Sequence, residues 1–267
     1  MENSDFIETA LHAARAVAEI QLPCFGQSIQ VDRRCGRDIK LRLDRKSDDI
    51  VIEVIRARFP EHMIFSEETG FHNAPGDYLW IIDPLDGSVN YFQGLHYFCC
   101  SIACFRDPAS ISPMAWTALE DMGAPVAAVI SAPALGEMFT AVASEGARLN
   151  ENALQPEELA SMDKAMVGTS FGSSEEIMCD MFGRVQGIAR DALKVRCLGS
   201  TALGIAQVAS GQLNAYVQRH IHAWDVAAGC IIADEAGCFA KAERDRPDKW
   251  KVVACNPGLV HYFENIL

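Results

Sequence analysis

Between residues 5 and 20 apolar side chains recur three and four apart: Phe6, Ile7, Ala10, Leu11, Ala14, Val17 and Ala18 share one face behind Ser4. That period is helical and predicts an amphipathic N-terminal helix capped by the serine. In "DDIVIEVIRARF" the residues Ile50, Val51, Val54, Ile55 and Phe59 again line one side. Pro60, which has no amide proton to donate, closes this second helix. A polar, basic piece, "VDRRCGRDIKLRLD", separates the two.

The period then changes. "MIFSEETG" and "YLWIIDPLDG" are short apolar runs that end in carboxylates, the form of strands that deliver acidic side chains into a loop. Residues 97–105, 125–131 and 137–142 are β-compatible, with "SAPALGE" as a turn between the last two and "GARLN" as a further turn. Residues 151–164 are polar and loop-like. They predict a boundary between an N-terminal half, 1–150, carrying most of the acidic candidates, and a C-terminal half, 151–267, closing over them. The second half reads as a strand in "KAMVGTSFG", a helix over 175–190 and an element ending at Gly199. A small-residue helix to Gly211, a strand in "LNAYVQ", a helix in "AWDVAAGCIIADEAG" and a last strand in "KVVACN" follow. Helices and strands alternating without a repeat argue α/β or α+β layers.

Composition narrows the partners. Of 267 residues 49% are hydrophobic and 22% charged, an ordinary folded chain rather than a disordered or fibrous one. Lys and Arg total 23 against 36 Asp and Glu, a net charge of -13, which argues against nucleic acid or an anionic membrane as partner. An anion bound by such a chain needs cations or backbone N–H groups at its site. The ten cysteines lack Cys-x-x-Cys spacing and have no histidines in a zinc-like cadence, so reduced core thiols are expected. The acidic N-terminus does not read as a signal peptide, and the cytoplasm is the expected compartment.

The candidate chemistry centres on "WIIDPLDGSVNY". Asp83 and Asp86 stand three apart around Pro84, and Gly87, Ser88 and Asn90 follow at a strand-to-helix junction. Two carboxylates and a hydroxyl there suit a hard cation such as Mg2+, and the Gly87 and Ser88 N–H groups suit an anion. The plain alternative is that Asp83 caps a turn and Ser88 caps a helix. A metal requires further carboxylates, and Glu67, Glu68 and Asp225 are the candidates. Glu67 and Glu68 read equally as an exposed loop, and Asp225 as an ordinary helix cap.

Taken together, "FSEETG", "WIIDPLDGSVNY" and "AWDVAAG" resemble the inositol monophosphatase family, within the superfamily of lithium-sensitive, metal-dependent sugar phosphatases. The middle stretch is similar to that family's Asp-Pro-(Ile/Leu)-Asp-Gly-(Thr/Ser)-x-Asn signature, and the likeness covers essentially the whole chain. The resemblance implies a layered αβαβα sandwich, often a homodimer. It further implies that Glu67, Asp83, the Leu85 carbonyl and the Ser88 hydroxyl ligate one Mg2+, that Asp83, Asp86 and Asp225 hold a second, and that a third binds more weakly near Glu67. Asp44 matches an aspartate that helps position the attacking water. Gly87 and Ser88 would cradle phosphate, while Gly199, Ser200, Thr201, Gln218 and Asp225 match residues around the substrate.

The chain also departs from that pattern. Arg33 falls near a customary lysine, Leu41 replaces a threonine, and Gln218 stands where many inositol phosphatases have a glutamate. The expected activity is Mg2+-dependent hydrolysis of a small phosphomonoester, myo-inositol 1-phosphate first. Histidinol phosphate, fructose 1,6-bisphosphate or a 3′-phosphonucleotide are alternatives, and a non-catalytic metal or inositol-phosphate binder is a further one. His96 has no assigned role, and His220 and His222 are expected on one strand face, with a surface role first and a substrate-entry or loop role as the alternative.

Overall fold

The helical spacing of the first sixty residues is realised as α1 (Asn3–Cys24) and α2 (Arg42–Arg58), separated by an antiparallel hairpin of β1 (Val31–Cys35) and β2 (Asp38–Leu41). The computed structural model describes residues 3–27, 31–35, 38–172 and 175–263, without the side chains of 33–39, so the side chain of Arg33 lies outside the described set. α2 begins earlier than its apolar stripe. Asp44 accounts for this, because its Oδ2 accepts the Leu41 N–H at 2.8 Å and so satisfies a donor left over at the helix start.

The first sheet is built from β3 (Met63–Ser66), β4 (Gly70–His72), β5 (Tyr78–Asp86), β6 (Cys99–Arg106), β7 (Ala124–Ala132), β8 (Glu137–Val142), β9 (Gly146–Leu149) and β10 (Asn152–Ala153). Its order is β10-β9-β8-β7-β6-β5-β3-β4, with the short helix α3 (Ser88–Phe92) hanging from the end of β5. "GARLN" is therefore mostly strand rather than turn, a segment too short and glycine-led to read as β alone. Glu235 holds its start by accepting the Ser144 and Gly146 N–H groups at 2.8 and 2.9 Å.

The second sheet comprises β11 (Met166–Thr169), β12 (Lys194–Cys197), β13 (Ala215–Ile221), β14 (Phe239–Arg246) and β15 (Lys249–Cys255), in the order β12-β11-β13-β15-β14. The helices α4 (Glu175–Asp191), α5 (Thr201–Ala209), α6 (Ala223–Glu235) and α7 (Val260–Phe263) accompany it. β14 had no sequence signal: "FAKAERDR" is an edge strand, and its charges suit that position.

Three of the four cores among the described residues stack the layers. Phe6, Ala10, Ala14 and Val17 of α1 and Val51 and Ile55 of α2 meet Ile64, Trp80, Ile82 and Ile102 on one face of the first sheet. Leu79, Ile81, Ala103 and Ile130 on its other face meet α5 and α6, which also cover Tyr216, Trp250 and Val252 of the second sheet. Val167, Val217 and Val253 on the far face of that sheet pack on Ile188 of α4 and Phe263 of α7. The result is an αβαβα sandwich. β5 is buried on both faces, which is why "LWII" reads as an unbroken apolar run instead of alternating. Among the described residues no helix is long and apolar enough to cross a membrane. The nine described cysteines are free; six are buried, while Cys24, Cys179 and Cys197 are exposed and so depart from the expected core role.

One packing detail bears on the site. The buried ring of Tyr216 lies in a slot between Gly204 of α5 and Gly168 of β11, where an added Cβ would come within 2.3 and 2.7 Å of ring carbons. Its hydroxyl is bonded to Gln218 at 2.5 Å, so the ring is not free to slide away. Gly204→Ala gains about 1 kcal/mol of helix propensity but overpacks the slot, at roughly 1–3 kcal/mol. A net fall in Tm of a few degrees is expected by calorimetry. A Tm equal to or above that of the parent would show that the ring yields easily.

Candidate metal centre

Residues three apart on a regular strand point to opposite faces of the sheet. β5 escapes this through its pairing with β6, where Asp83 faces Ser101 but Asp86 faces Cys99. The partner thus advances two residues while β5 advances three, a β-bulge that inserts one residue at Pro84–Leu85. Pro84 is tolerated there because the bulge needs no ladder donor from it. Asp83 and Asp86 therefore emerge on the same side. Asp225, in the first turn of α6, completes a group in which one carboxylate oxygen from each residue lies within 4.8 Å of the others.

Every one of these carboxylates is oriented by a protein donor. Asp83 Oδ1 accepts the Leu85 N–H at 3.0 Å, and Asp225 Oδ2 accepts the His222 N–H at 2.6 Å, so both are turn or helix caps as well as members of the cluster. Asp86 Oδ2 accepts the Ser200 hydroxyl at 2.6 Å and the Ala202 N–H at 2.7 Å, at the start of α5. Burial raises the pKa of all three. Asp86 is pushed up to about 6, with the Ser200 and Ala202 bonds opposing the rise. Asp83 and Asp225 lie well above the usual range, first through burial, then in Asp83 through the charges of Glu67, Asp86 and Asp225 and in Asp225 through those of Asp86 and Glu67. A divalent cation relieves this repulsion, and the donor set, all hard carboxylate oxygen, fits one.

The remaining candidates surround the trio. Glu67, in the loop after β3, is close enough for its charge to raise the pKa of Asp83, and it receives Lys40 Nζ at 2.5 Å. The same ammonium reaches Glu68 Oε1 at 2.5 Å, so neither glutamate is simply an exposed loop residue. Burial opposes the Lys40 charge, but the two glutamates outweigh it and hold the ammonium above its ordinary range. Asp44 is 1% exposed, and its Oδ1 has no hydrogen-bond partner among the described residues. Burial pushes its pKa up to about 8. The Ser88 hydroxyl donates to the Leu85 carbonyl at 2.9 Å, which brings those two candidates together. Gly87 has φ 91, and a Cβ there would stand 3.0 Å from the Tyr97 carbonyl, so only glycine suits this junction. Ser88 is accordingly the first residue of α3, and Gly87 holds the cap position.

The second-half candidates brace the first. Gly199 has φ 81 and approaches Asn90, whose Nδ2 donates to the Tyr97 and Leu198 carbonyls at 2.7 and 2.8 Å. Ser200 holds Asp86, and Thr201 donates to Gln218 Oε1 at 2.8 Å, beside the Tyr216 hydroxyl. His220 occupies a second bulge, in β13, with φ 61, and is 8% exposed rather than at the surface. Its neighbours are Asp245 at 3.3 Å and Asp180 at 3.9 Å, which Arg219 also engages. His222 does not share its face: it caps α6, stacks on Trp224 at 4.5 Å and meets Lys249 Nζ at 2.5 Å. His96 is exposed and contacts Phe25 edge-on.

Sequence reasoning passed over Asp48, Lys40 and Lys249. Asp48 is fully buried and accepts the Ser66 and Thr69 hydroxyls, which ties the acid-bearing loop to α2. Its signal was present as a polar residue on the buried side of an amphipathic helix. Lys40 and Lys249 carried none, because a lone lysine on a short strand is ordinarily a surface residue.

The model of the inositol monophosphatase family matches residues 2–264. A Nus factor SuhB of Pasteurella multocida is 31% identical over 235 residues, spanning 86% of this chain and 82% of that protein. A fructose-1,6-bisphosphatase/inositol-1-monophosphatase of Thermotoga maritima is 32% identical over 234 residues, 87% of this chain and 83% of that one. The solved structure of an IMPase of Thermotoga maritima superposes with a TM-score of 0.81 at 30% identity, covering 97% of this chain and 94% of that chain. The fold, the acidic centre and these likenesses agree: the chain belongs to the inositol monophosphatase family.

Proposed function

We propose that the chain is a Mg2+-dependent phosphomonoesterase with myo-inositol 1-phosphate as its substrate. The observation that carries this reading is the convergence of one carboxylate oxygen each from Asp83, Asp86 and Asp225 within 4.8 Å, with the charge of Glu67 acting on Asp83. A cluster this acidic repels a phosphate dianion, so catalysis requires cations between protein and substrate. Bound there, Mg2+ would neutralise the phosphate, activate a water and stabilise the leaving alkoxide. Asp83, Asp86 and Asp225, with Glu67, the Leu85 carbonyl and the Ser88 hydroxyl, would hold two or three ions. Asp44 would orient the water through its unpartnered Oδ1. The Gly87 and Ser88 N–H groups would receive a phosphoryl oxygen, and Thr201 and Gln218 would face the alcohol. Lithium sensitivity and a homodimer belong to the same reading and rest on the family resemblance, and a cytoplasmic location rests on the acidic N-terminus, which does not read as a signal peptide.

Fructose 1,6-bisphosphate is the second reading. It is supported by the name of the Thermotoga maritima relative and by Gln218, a neutral side chain that does not repel a second phosphate as a glutamate would. Comparing kcat/KM for myo-inositol 1-phosphate, fructose 1,6-bisphosphate and histidinol phosphate with Mg2+ decides among substrates, and a clear preference for either of the latter replaces the first choice.

Three outcomes test the reaction. Asp86→Asn should cut metal-dependent phosphate release by more than about 100-fold, beyond the 10–100-fold typical of losing a supporting hydrogen bond. Full turnover in that variant would remove the mechanism. Ser200→Ala, which deprives Asp86 of its hydroxyl partner, should raise the Mg2+ concentration for half-maximal activity about 10- to 100-fold while kcat at saturating metal largely returns. An unchanged metal dependence would mean that the Ala202 N–H alone orients Asp86.

The third is a pH dependence. Asp86 and Asp44 bind protons more tightly folded than unfolded, with pKa values of about 6 and about 8. Their contribution to stability is complete below about pH 4 and is lost as pH rises through those values. Because Mg2+ competes with these protons, the Tm gained on adding it in place of EDTA should be larger at about pH 8 than at about pH 5. Equal gains at both, measured by calorimetry, would contradict the assignment.

A further inference from the structure

Lys40 stands at the outer edge of the acidic centre, one residue before β2 ends. Its root is well anchored, since the next residue, Leu41, is 2% exposed and its N–H is held by Asp44 at 2.8 Å. Its Nζ is the point on which two carboxylates converge, 2.5 Å from Glu67 Oε1 and 2.5 Å from Glu68 Oε1. The charge of Glu67 also acts on Asp83, so the ammonium sits beside a carboxylate that is electrostatically linked to the aspartate trio. Glu68 is turned to the same point, and its N–H is held by the Ser66 hydroxyl at 3.2 Å. Two carboxylates meeting at hydrogen-bond distance on one atom define a cation position, and here the protein fills it from its own sequence.

We propose that the Lys40 ammonium is a resident cation that substitutes for an outer divalent ion beside Glu67 and Glu68, so that the centre fills with one ion fewer than its carboxylates would otherwise take. The inference rests on the metal-dependent reading above. Lysine brings a single charge and three N–H donors, enough to satisfy one oxygen of each glutamate without the ligand shell a divalent ion demands. A second cation at the same oxygens is excluded by like-charge repulsion and by occupancy. Removing the ammonium leaves Glu67 and Glu68 facing each other across a gap, and a divalent ion relieves that repulsion. Expectations of two or three ions per chain are thereby separated by one side chain.

Counting bound Mn2+ tests this, by titrating each protein and following free Mn2+ by electron paramagnetic resonance. Lys40→Gln and Lys40→Met, two neutral replacements of differing polarity, should each bind one Mn2+ more per chain than the parent, weakly. Lys40→Arg, which keeps the charge, should bind the parent number. Circular dichroism identifies any variant that does not fold, and the other neutral variant then carries the test. Equal counts in parent and folded neutral variants would overturn the role of Lys40 while leaving the metal-dependent reading intact. Absence of Mn2+ binding to the parent would overturn both.

Discussion

Everything at this centre depends on one extra residue in one strand. The bulge at Pro84–Leu85 converts a three-residue spacing, which a regular strand would split between two faces, into two carboxylates on the same side. β5 is buried on both faces, so the strand cannot rotate to relieve the crowding. The cores around Trp80 and Ile82 on one side and Leu79 and Ile81 on the other hold it in register. Packing thus opposes electrostatics directly. The raised pKa values of Asp83, Asp86 and Asp225 record that opposition: burial comes first in all three, followed by neighbouring carboxylate charge in Asp83 and Asp225, while hydrogen bonds from Ser200 and Ala202 moderate the rise in Asp86.

The second half of the chain completes this arrangement rather than adding a separate unit. Asp86, which ends a strand of the first sheet, is held by Ser200 and Ala202 at the start of α5. Asn90 crosses the same junction to the Leu198 carbonyl, and a Cβ at Gly199 would meet its amide at 2.9 Å. Residues expected to line a substrate are thus first of all braces for a carboxylate. The two tasks are compatible for Thr201 and Gln218, which form a bonded patch with Tyr216. They are harder to combine in Ser200, which is 1% exposed and has its hydroxyl on Asp86.

Much of the layered fold was legible because its signals are local. The helical stripe of α1, the proline after α2 and the unbroken apolar run of β5 each predict their element from neighbouring residues alone. β9 and β14 were not legible, since one is four residues long and the other is a charged edge whose strand character comes from pairing with β15. The acidic residues of the site were legible by type and spacing, but the reason for that spacing was not. A bulge is a property of two strands in register, and β6 supplies half of it. His220 illustrates the same limit: strand alternation put it on a face with His222, whereas the bulge in β13 turns it toward Asp245.

Charge accounts for the last feature. A chain with a net charge of -13 concentrates carboxylates around a site meant for an anion, and the field there must be reversed locally. Two lysines begin that reversal from within the fold: Lys40 on Glu67 and Glu68, and Lys249 on the His222 that caps the helix bearing Asp225. Both lie at the rim rather than within the trio, where the carboxylates retain only neutral N–H and O–H donors. The rim can be neutralised by groups that are always present, while the centre is left to ions that bind as protons leave. On the metal-dependent reading proposed above, that division makes the acidity of the centre the source of metal affinity, with the lysines limiting how far it extends.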